Sequence, residues 1–580
     1  MDASNKKYYP FFILAGIFVI LLIRNRYSFC WSDESLYVSN MYRLYQGDVF
    51  LKDEWNSAML SSYVTLPLFY IFMLFKGSID GVYIFFRDAC VVIAFFAAVS
   101  VYRILSRQFL TRTALSCSIC LMIYSRANIC GCSYYNMGLF LFVLADCMFY
   151  DVCYLQKGVR KKDRVLSFLA GMCLGMSIIV NPYFILFLLI LFLFYFRDRR
   201  KKILAAIGGC VFAGTVFVLY YLKSISFDGF FILIRNAGSL GAPSVTDKIV
   251  YWFICLFDFF KETAVVQGLV FALQIYLKQN PKKYMWIRYL LALISLACFG
   301  VHLYHSANML GGAYIALSFL GIQILPVISW EGANADIARK SILYFYITGI
   351  LMSMAFVIAS NNGIDAAGIG FVVVSFGAII ALSEFAHSGK MQKQKTVMEF
   401  ICLGSVLGVT MFLRIFSVYR DDVLPELKYK ITQGPAKGLY TTKEHLQQYN
   451  HVCDDIREFV NTDRETSVFI GRIAPWAYLC TSARCGVYTT WRLDFSDPRL
   501  EQYYENHLEP EKILVLDPEY GGFRDNYIST WGENGDLTPN VNNIGGYLSE
   551  YMDRSGYQCM RVRSGILFFK PKVSYGKEGV

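Results

Sequence analysis

The run Val64–Phe75 reads VTLPLFYIFMLF, and where it lies decides the topology of the whole chain. It is apolar enough to cross a bilayer. At about 12 residues it is short for a span, and Pro67 interrupts it. Charge decides between the two placements. Basic clusters occur at Arg103/Arg107/Arg112, Lys157/Arg160/Lys161/Lys162/Arg164 and Arg197/Arg199/Arg200/Lys201/Lys202. Others are Lys278/Lys282/Lys283/Arg288, Arg339/Lys340 and Lys390/Lys393/Lys395. With Val64–Phe75 lying in or dipping into the interface of an external loop, every cluster falls on the side of Lys6 and Lys7. That is the pattern expected when Lys and Arg hold their loops inside. If the run crossed, every later cluster would move outside.

The rest of the chain agrees with a polytopic membrane protein. Of 580 residues, 56% are hydrophobic and 17% charged, against roughly 25% charged in soluble domains. Mean hydropathy is +0.42. A soluble fold has no means of hiding that much apolar surface. The net charge of +11 sits in short clusters between apolar runs, so it sets topology and implies no nucleic-acid partner. The 17 cysteines are scattered, many within apolar runs, and no CxxC pair has a matching partner pair. A Cys480–Cys485 disulfide is open if their domain lies outside.

Pro10–Ile23 resembles a signal sequence but is followed by no small-residue cleavage site, so it reads as an uncleaved first helix with its N-terminus inside. Further apolar runs at 82–105, 113–125, 134–156, 165–180, 182–197, 203–222, 264–278, 285–304, 311–329, 341–359, 368–385 and 396–417 complete a set of roughly 13 spans. The opposite side collects residues 25–81, Arg126–Ser133, the turn at Asn181-Pro182-Tyr183, 223–263, His302–Gly312 and Ser360–Gly368. After about residue 418 the apolar runs shorten to strand length. Ser467–Ile470, Gly486–Tyr488, Lys512–Leu516 and Ile566–Phe569 read as strands, and His451–Val460 and Ile544–Met552 as helices. The expected division is therefore a transmembrane domain, 1–418, and an extracytoplasmic α/β domain, 419–580, joined through Gly434-Pro435 and Gly438.

Within the first external loop lies Trp31-Ser32-Asp33-Glu34-Ser35-Leu36-Tyr37. Carboxylates beside a membrane are costly unless solvated, paired or used. The bland reading is a solvated pair or a helix cap, with Ser32 or Asp33 capping a helix from Glu34. The wider pattern adds Gly47-Asp48, a polar stretch, Pro67 among aromatics, and Arg87-Asp88 opening the next span. This resembles the first external loop of GT-C glycosyltransferases, the aminoarabinose transferases and protein O-mannosyltransferases. The likeness extends to the span count, the inside N-terminus and the external C-terminal domain; residue matching is confined to 31–88.

The resemblance implies a sugar donor on a polyprenyl phosphate and a glycan, lipid or protein acceptor, with attack by an acceptor hydroxyl and inversion at the anomeric carbon. It assigns Asp33 as general base, within about 3 Å of that hydroxyl. Glu34 would bind the acceptor or orient Asp33, and Tyr37 and Asp48 would join the substrate site. The aminoarabinose transferases place a Lys just before the Pro of the interfacial helix; here Ser61–Pro67 contains none. A cation for the leaving phosphate must come from elsewhere. Lys52, Arg87, Arg126 and Arg235 are the external candidates, and each also reads as an interfacial residue. Metal-dependent relatives carry an acidic motif in the second external loop. Here Arg126–Asn136 has no carboxylate, so no metal or other cofactor is expected. His302, His305 and Asn308 lack a third metal ligand and read as structural or sugar-bonding. Ser360-Asn361-Asn362-Gly363 reads as a turn or as sugar contacts, with Asn361 the candidate. A bacterial plasma membrane is the expected site. A lipid-linked-sugar transporter or flippase, or a non-catalytic envelope assembly protein, are the competing readings; neither internal repeats nor paired charges within spans favour transport.

Overall fold

The structure is a computed structural model. It describes residues 8–155, 161–188, 200–223, 225, 244–278, 283–306, 310–330, 335–360, 362–388, 391–460, 466–471, 473–491, 499–517 and 546–571. It divides into two compact units. The first comprises Met1–Arg24, Asp88–Tyr220 and Gly241–Ser417; the second comprises Asn25–Arg87, Tyr221–Leu240 and Val418–Val580. The expected cut near 418 thus falls at a unit boundary, but residues 25–87 fold with the C-terminal residues.

The first unit is a helical bundle. Its described helices are α1 (Tyr9–Arg24), most of α4 (Val82–Leu105), α5 (Thr111–Ile123), α6 (Tyr134–Tyr150), α7 (Lys161–Val180) and α8 (Arg200–Leu222). They continue through α9 (Val245–Phe260), α10 (Ala264–Leu277), α11 (Met285–His305), α12 (Leu310–Ile324), α13 (Ala335–Ala359), α14 (Gly363–His387) and α15 (Gln392–Phe416). Counting α3 of the second unit, ten described helices are long and apolar enough to cross a membrane, and α1, α5 and α10 are shorter apolar helices. The chain is a polytopic α-helical membrane protein. Helix α9 corrects the expectation of a loop over 223–263. Asp247, Lys248 and Asp258 interrupt its apolar pattern, yet Trp252, Leu256 and Phe260 are buried. Of the expected span 182–197, Pro182–Ile185 is a single 3-10 turn, and 189–197 lies outside the described residues.

Helix α14 is buried along nearly its whole length, and small residues make that possible. A Cβ on Gly370 would stand 2.2 Å from the Ser353 amide nitrogen of α13. Gly311 of α12 and Gly368 of α14 approach so closely that a Cβ on either would lie 3.0 Å or less from the other's Cα.

The second unit combines α2 (Asp33–Gln46), α3 (Met59–Lys76) and the C-terminal α/β fold. Strands β3 (Ser467–Gly471), β4 (Arg484–Cys485), β5 (Lys512–Leu516), β6 (Gln558–Val562) and β7 (Gly565–Phe569) form one sheet in the order β4-β3-β5-β7-β6, and β1 (Tyr429–Lys430) pairs with β2 (Tyr440–Thr441). The β3 pairings are parallel and the β7 pairings antiparallel. Gly486–Tyr488, expected as a strand, is not one; the short β4 ends just before it. Helix α16 (Lys443–Asp455) begins earlier than expected, and α17 (Arg499–Tyr504) and α18 (Gly546–Arg554) complete the described helices. The core is aromatic: Phe29, Trp31, Tyr83, Tyr449 and Trp476 meet with ring centroids 4.7–5.8 Å apart. Helix α3 is one-sided, with Leu66, Phe69 and Phe72 buried and Tyr70, Ile71, Leu74 and Phe75 exposed. That sidedness suits a helix lying in an interface, although length and composition also allow a span.

Candidate active site

Asp33 opens α2, at a helix end where backbone N–H groups favour a negative charge. Ser32 stands at the cap position but makes no side-chain capping bond, and Asp33 is not the cap. The Asp33 carboxylate instead meets residues almost four hundred positions later. Tyr419 donates its hydroxyl to Oδ2 at 2.7 Å, Ser32 Oγ lies 3.2 Å away, and the Arg420 Nε lies at 3.8 Å. Among the described residues, Oδ1 accepts no hydrogen bond. The Asp33 side chain is 16% exposed and that of Arg420 29%, so both are partly open to solvent.

Two adjacent groups fix this geometry. Buried Asp421 accepts from the Phe29 amide at 2.7 Å, from Thr441 Oγ1, and from His445 Nδ1 at 2.7 Å. It therefore ties the chain ahead of Asp33 to the segment carrying Tyr419 and Arg420. Arg420 has φ +63°, a left-handed conformation that costs a non-glycine residue energy and marks a constrained turn. His445 is partly buried, which disfavours its charge. The Asp421 hydrogen bond, with the charges of Asp421, Asp422 and Glu444, outweighs this and holds the imidazole above its ordinary range.

Glu34 is a different kind of residue from Asp33. It is 2% exposed, and its two oxygens accept from Arg87 Nε at 2.7 Å and Nη2 at 2.6 Å. Arg87 Nη1 reaches the Asn25, Tyr27 and Ser28 carbonyls. This buried, bidentate pair corrects two expectations: Glu34 is not placed to bind an acceptor, and Arg87 is not placed to meet a phosphate. Together they hold the segment 25–34 by its backbone.

Asp48 belongs to another buried node. Arg43 donates to Asp48 Oδ2 at 2.6 Å, to Glu54 Oε2 at 2.5 Å and to the Asp53 carbonyl at 2.6 Å. Asp48 thus closes the loop 47–54 through Arg43, with its side chain 15% exposed. Tyr37 is buried in the α2 core, and Lys52 is exposed on the 51–54 turn.

Arg126 lies in the first unit. It is 7% exposed, 3.7 Å from Asp365 Oδ2, with its guanidinium over the Tyr135 ring at 4.6 Å. Asn362 donates to the Tyr135 hydroxyl at 2.6 Å, so these four residues form one polar cluster. His302 is buried against Thr263 Oγ1 and Gln267 Nε2, whereas His305 turns to Glu262 at 3.5 Å. His302 is therefore a satisfied interior histidine and not one of a His pair. Arg235, Asn308 and Asn361 lie outside the described residues.

Asp421, Asp422 and His445 offer ligand atoms within 4.8 Å of one another. Asp421 already serves Phe29, Thr441 and His445, and a cation would have to displace those donors. Sequence reasoning missed Tyr419 and Arg420. Their only signal was the polar run Tyr419-Arg420-Asp421-Asp422 directly after the last span, a counterpart to Asp33-Glu34 after the first.

No family model and no curated protein matches the sequence. Solved structures do. The archaeal oligosaccharyltransferase AglB from Archaeoglobus fulgidus, in complex with an inhibitory peptide and a dolichol-phosphate, is 12% identical over 99% of this chain and 75% of its own, with a TM-score of 0.44. The same organism's oligosaccharyltransferase in complex with Zn and sulfate is 11% identical over 87% of this chain and 68% of its own, TM-score 0.48. ArnT from Cupriavidus metallidurans bound to undecaprenyl phosphate is 10% identical over 99% of each chain, TM-score 0.42. ArnT is an aminoarabinose transferase, one of the families that the first loop resembles.

Proposed function

We propose that this chain is an integral-membrane glycosyltransferase that moves a sugar from a polyprenyl-phosphate donor to a hydroxyl of a cell-envelope acceptor, with Asp33 as general base. The observation that carries this reading is the asymmetry of the Asp33 carboxylate. One oxygen is held by Tyr419 beside Arg420, while the other accepts nothing among the described residues. Such a carboxylate is oriented yet still able to take a proton. In the reaction, Oδ1 takes the acceptor hydroxyl proton as that oxygen attacks the anomeric carbon. The bond from that carbon to the phosphate oxygen breaks on the opposite face, so the configuration inverts. The departing lipid phosphate gains negative charge, and Arg420 is the cation beside Asp33 able to meet it.

Arg420, in place of Lys52, Arg87, Arg126 and Arg235, is the cation assigned to the phosphate. A donor that cannot leave the bilayer requires the site at a membrane surface. The one-sided α3 suits that requirement, and the basic-cluster count supports an external surface with a cytoplasmic N-terminus. Dolichol-phosphate and undecaprenyl phosphate, bound in two of the solved structures, are the donor carriers to test first.

The test is transfer of radiolabelled sugar from polyprenyl-phosphate donors to envelope acceptors in membranes. Asp33→Asn should lower the rate by roughly 10²–10⁴-fold, the usual contribution of a general base, with expression unchanged. A fully active Asp33→Asn variant would remove the base assignment. Absence of transfer by the parent chain, with uptake or flipping of the donor instead, would replace the enzyme by a transporter.

A further inference from the structure

We propose that Cys453 and Cys480 form a disulfide that fastens α16 to the aromatic platform behind the Asp33 segment. Cys453 lies in the last turns of α16 and is fully buried; Cys480 ends the 3-10 turn Pro475–Cys480. They are 27 residues apart in sequence, and their sulfurs are 3.0 Å apart. A covalent S–S bond is ~2.05 Å, so closure needs a movement of about 1 Å, within the reach of side-chain torsions. Cys485, the sequence neighbour that spacing first offered as a partner for Cys480, is engaged elsewhere. Its sulfur faces the Val487 carbonyl at 3.6 Å.

What the bridge would join is specific. Tyr449 of α16 stacks on Trp476 of the turn, with centroids 5.1 Å apart and planes at 23°. Trp476 packs edge-on against Trp31 at 5.4 Å, and Trp31 lies two residues before Asp33. Trp31 also meets His445 of α16 at 5.3 Å. The crosslink would hold together the two elements, α16 and the turn, that support Trp31 from behind.

The step is thiol–disulfide exchange. Two thiols give up two protons and two electrons to a disulfide-bearing oxidant, which is reduced to its dithiol. Cys480, the less buried sulfur, attacks the oxidant's disulfide as a thiolate, forming a mixed disulfide and releasing one oxidant thiol; the Cys453 thiolate then attacks the Cys480 sulfur and displaces the second oxidant thiol. The contact with Cys453, together with burial, pushes the Cys480 thiol up, which disfavours thiolate in the folded state. The bridge therefore belongs to folding and is not a rapidly cycling sensor. It requires an oxidising compartment and so rests on the external placement of this domain proposed above.

The experiment uses the full chain in native membranes. Free thiols are blocked with an alkylating reagent, and the protein is digested with trypsin without reduction. Trypsin separates Glu444–Arg457, which contains only Cys453, from Ile473–Arg484, which contains only Cys480. The expected product is the linked pair, two hydrogen masses lighter than the two free peptides. In parallel, protease added outside intact cells reports which side the C-terminal domain occupies. Both peptides alkylated with the domain outside would overturn the bridge and leave the topology standing. Both alkylated with the domain inside would overturn bridge and topology together. Cys453→Ser and Cys480→Ser should each lower the unfolding temperature as much as the double variant does, and reductant should lower the parent to the same level. Additive losses from the two single variants would also overturn the bridge.

Discussion

Replacing Glu34 by Gln separates a structural carboxylate from its neighbour Asp33, proposed as the general base. In the parent, Arg87 gives Glu34 two charge-assisted bonds of 2.6–2.7 Å in a site that is 1–2% exposed. Hydrogen bonds to charged groups contribute about 1.5–3 kcal/mol each, so the pair represents about 3–6 kcal/mol of gross interaction. Removing one partner leaves the Arg87 charge buried and uncompensated, which costs about 3–5 kcal/mol. Gln retains one acceptor oxygen, and Arg87 retains its three carbonyls, so the expected loss lies near the lower bound, about 3 kcal/mol. The assay is denaturant or thermal unfolding of the purified protein in detergent, with Arg87→Met and the double variant completing a cycle. Because the two side chains share bonds, the double variant should lose less than the sum of the singles. A Glu34→Gln protein as stable as the parent, yet unable to transfer sugar, would refute this reasoning and return Glu34 to the substrate.

Other consequences can be measured separately. Arg420→Gln should lower the rate of sugar transfer by about 10²-fold while leaving expression intact, and Arg420→Lys should retain part of it; steady-state transfer assays decide. Gly370→Val should destabilise the bundle by about 1–3 kcal/mol or more, because its Cβ meets the α13 backbone; unfolding in detergent reads this. The raised His445 pKa makes protonation stabilising. That contribution is full below pH 6.5 and is lost as pH climbs through the raised value. Unfolding temperature should therefore fall with rising pH over that window, and His445→Gln should flatten the slope; an unchanged slope would assign it to another group.

The bundle was legible because membrane helices advertise themselves by composition alone, and the strands at 467–470, 512–516 and 566–569 by short apolar runs. Helix α9 was not, since Asp247, Lys248 and Asp258 dilute a pattern that tertiary contacts with α13 and α14 then rescue. The site was half legible. Asp33 and Glu34 are indistinguishable as neighbours in a sequence, and a helix turns them to different surroundings: one toward Tyr419, the other into Arg87. Which of several arginines ends up beside Asp33 depends on contacts between residues 386 positions apart, a distance over which no local pattern operates.

The division of the second unit also has a consequence in time. Residues 25–87 emerge from the ribosome early, yet their packing partners Tyr419, Asp421, Tyr449 and Trp476 follow only after roughly 330 further residues. At ~5–20 residues per second, that is a wait of tens of seconds. Throughout it, Phe29 and Trp31 have no Trp476 to pack against, and Asp33 no Tyr419 to orient it. A chain cut within the bundle keeps α2 but lacks Tyr419, Asp421 and Trp476, whose contacts hold Phe29, Trp31 and Asp33 in place.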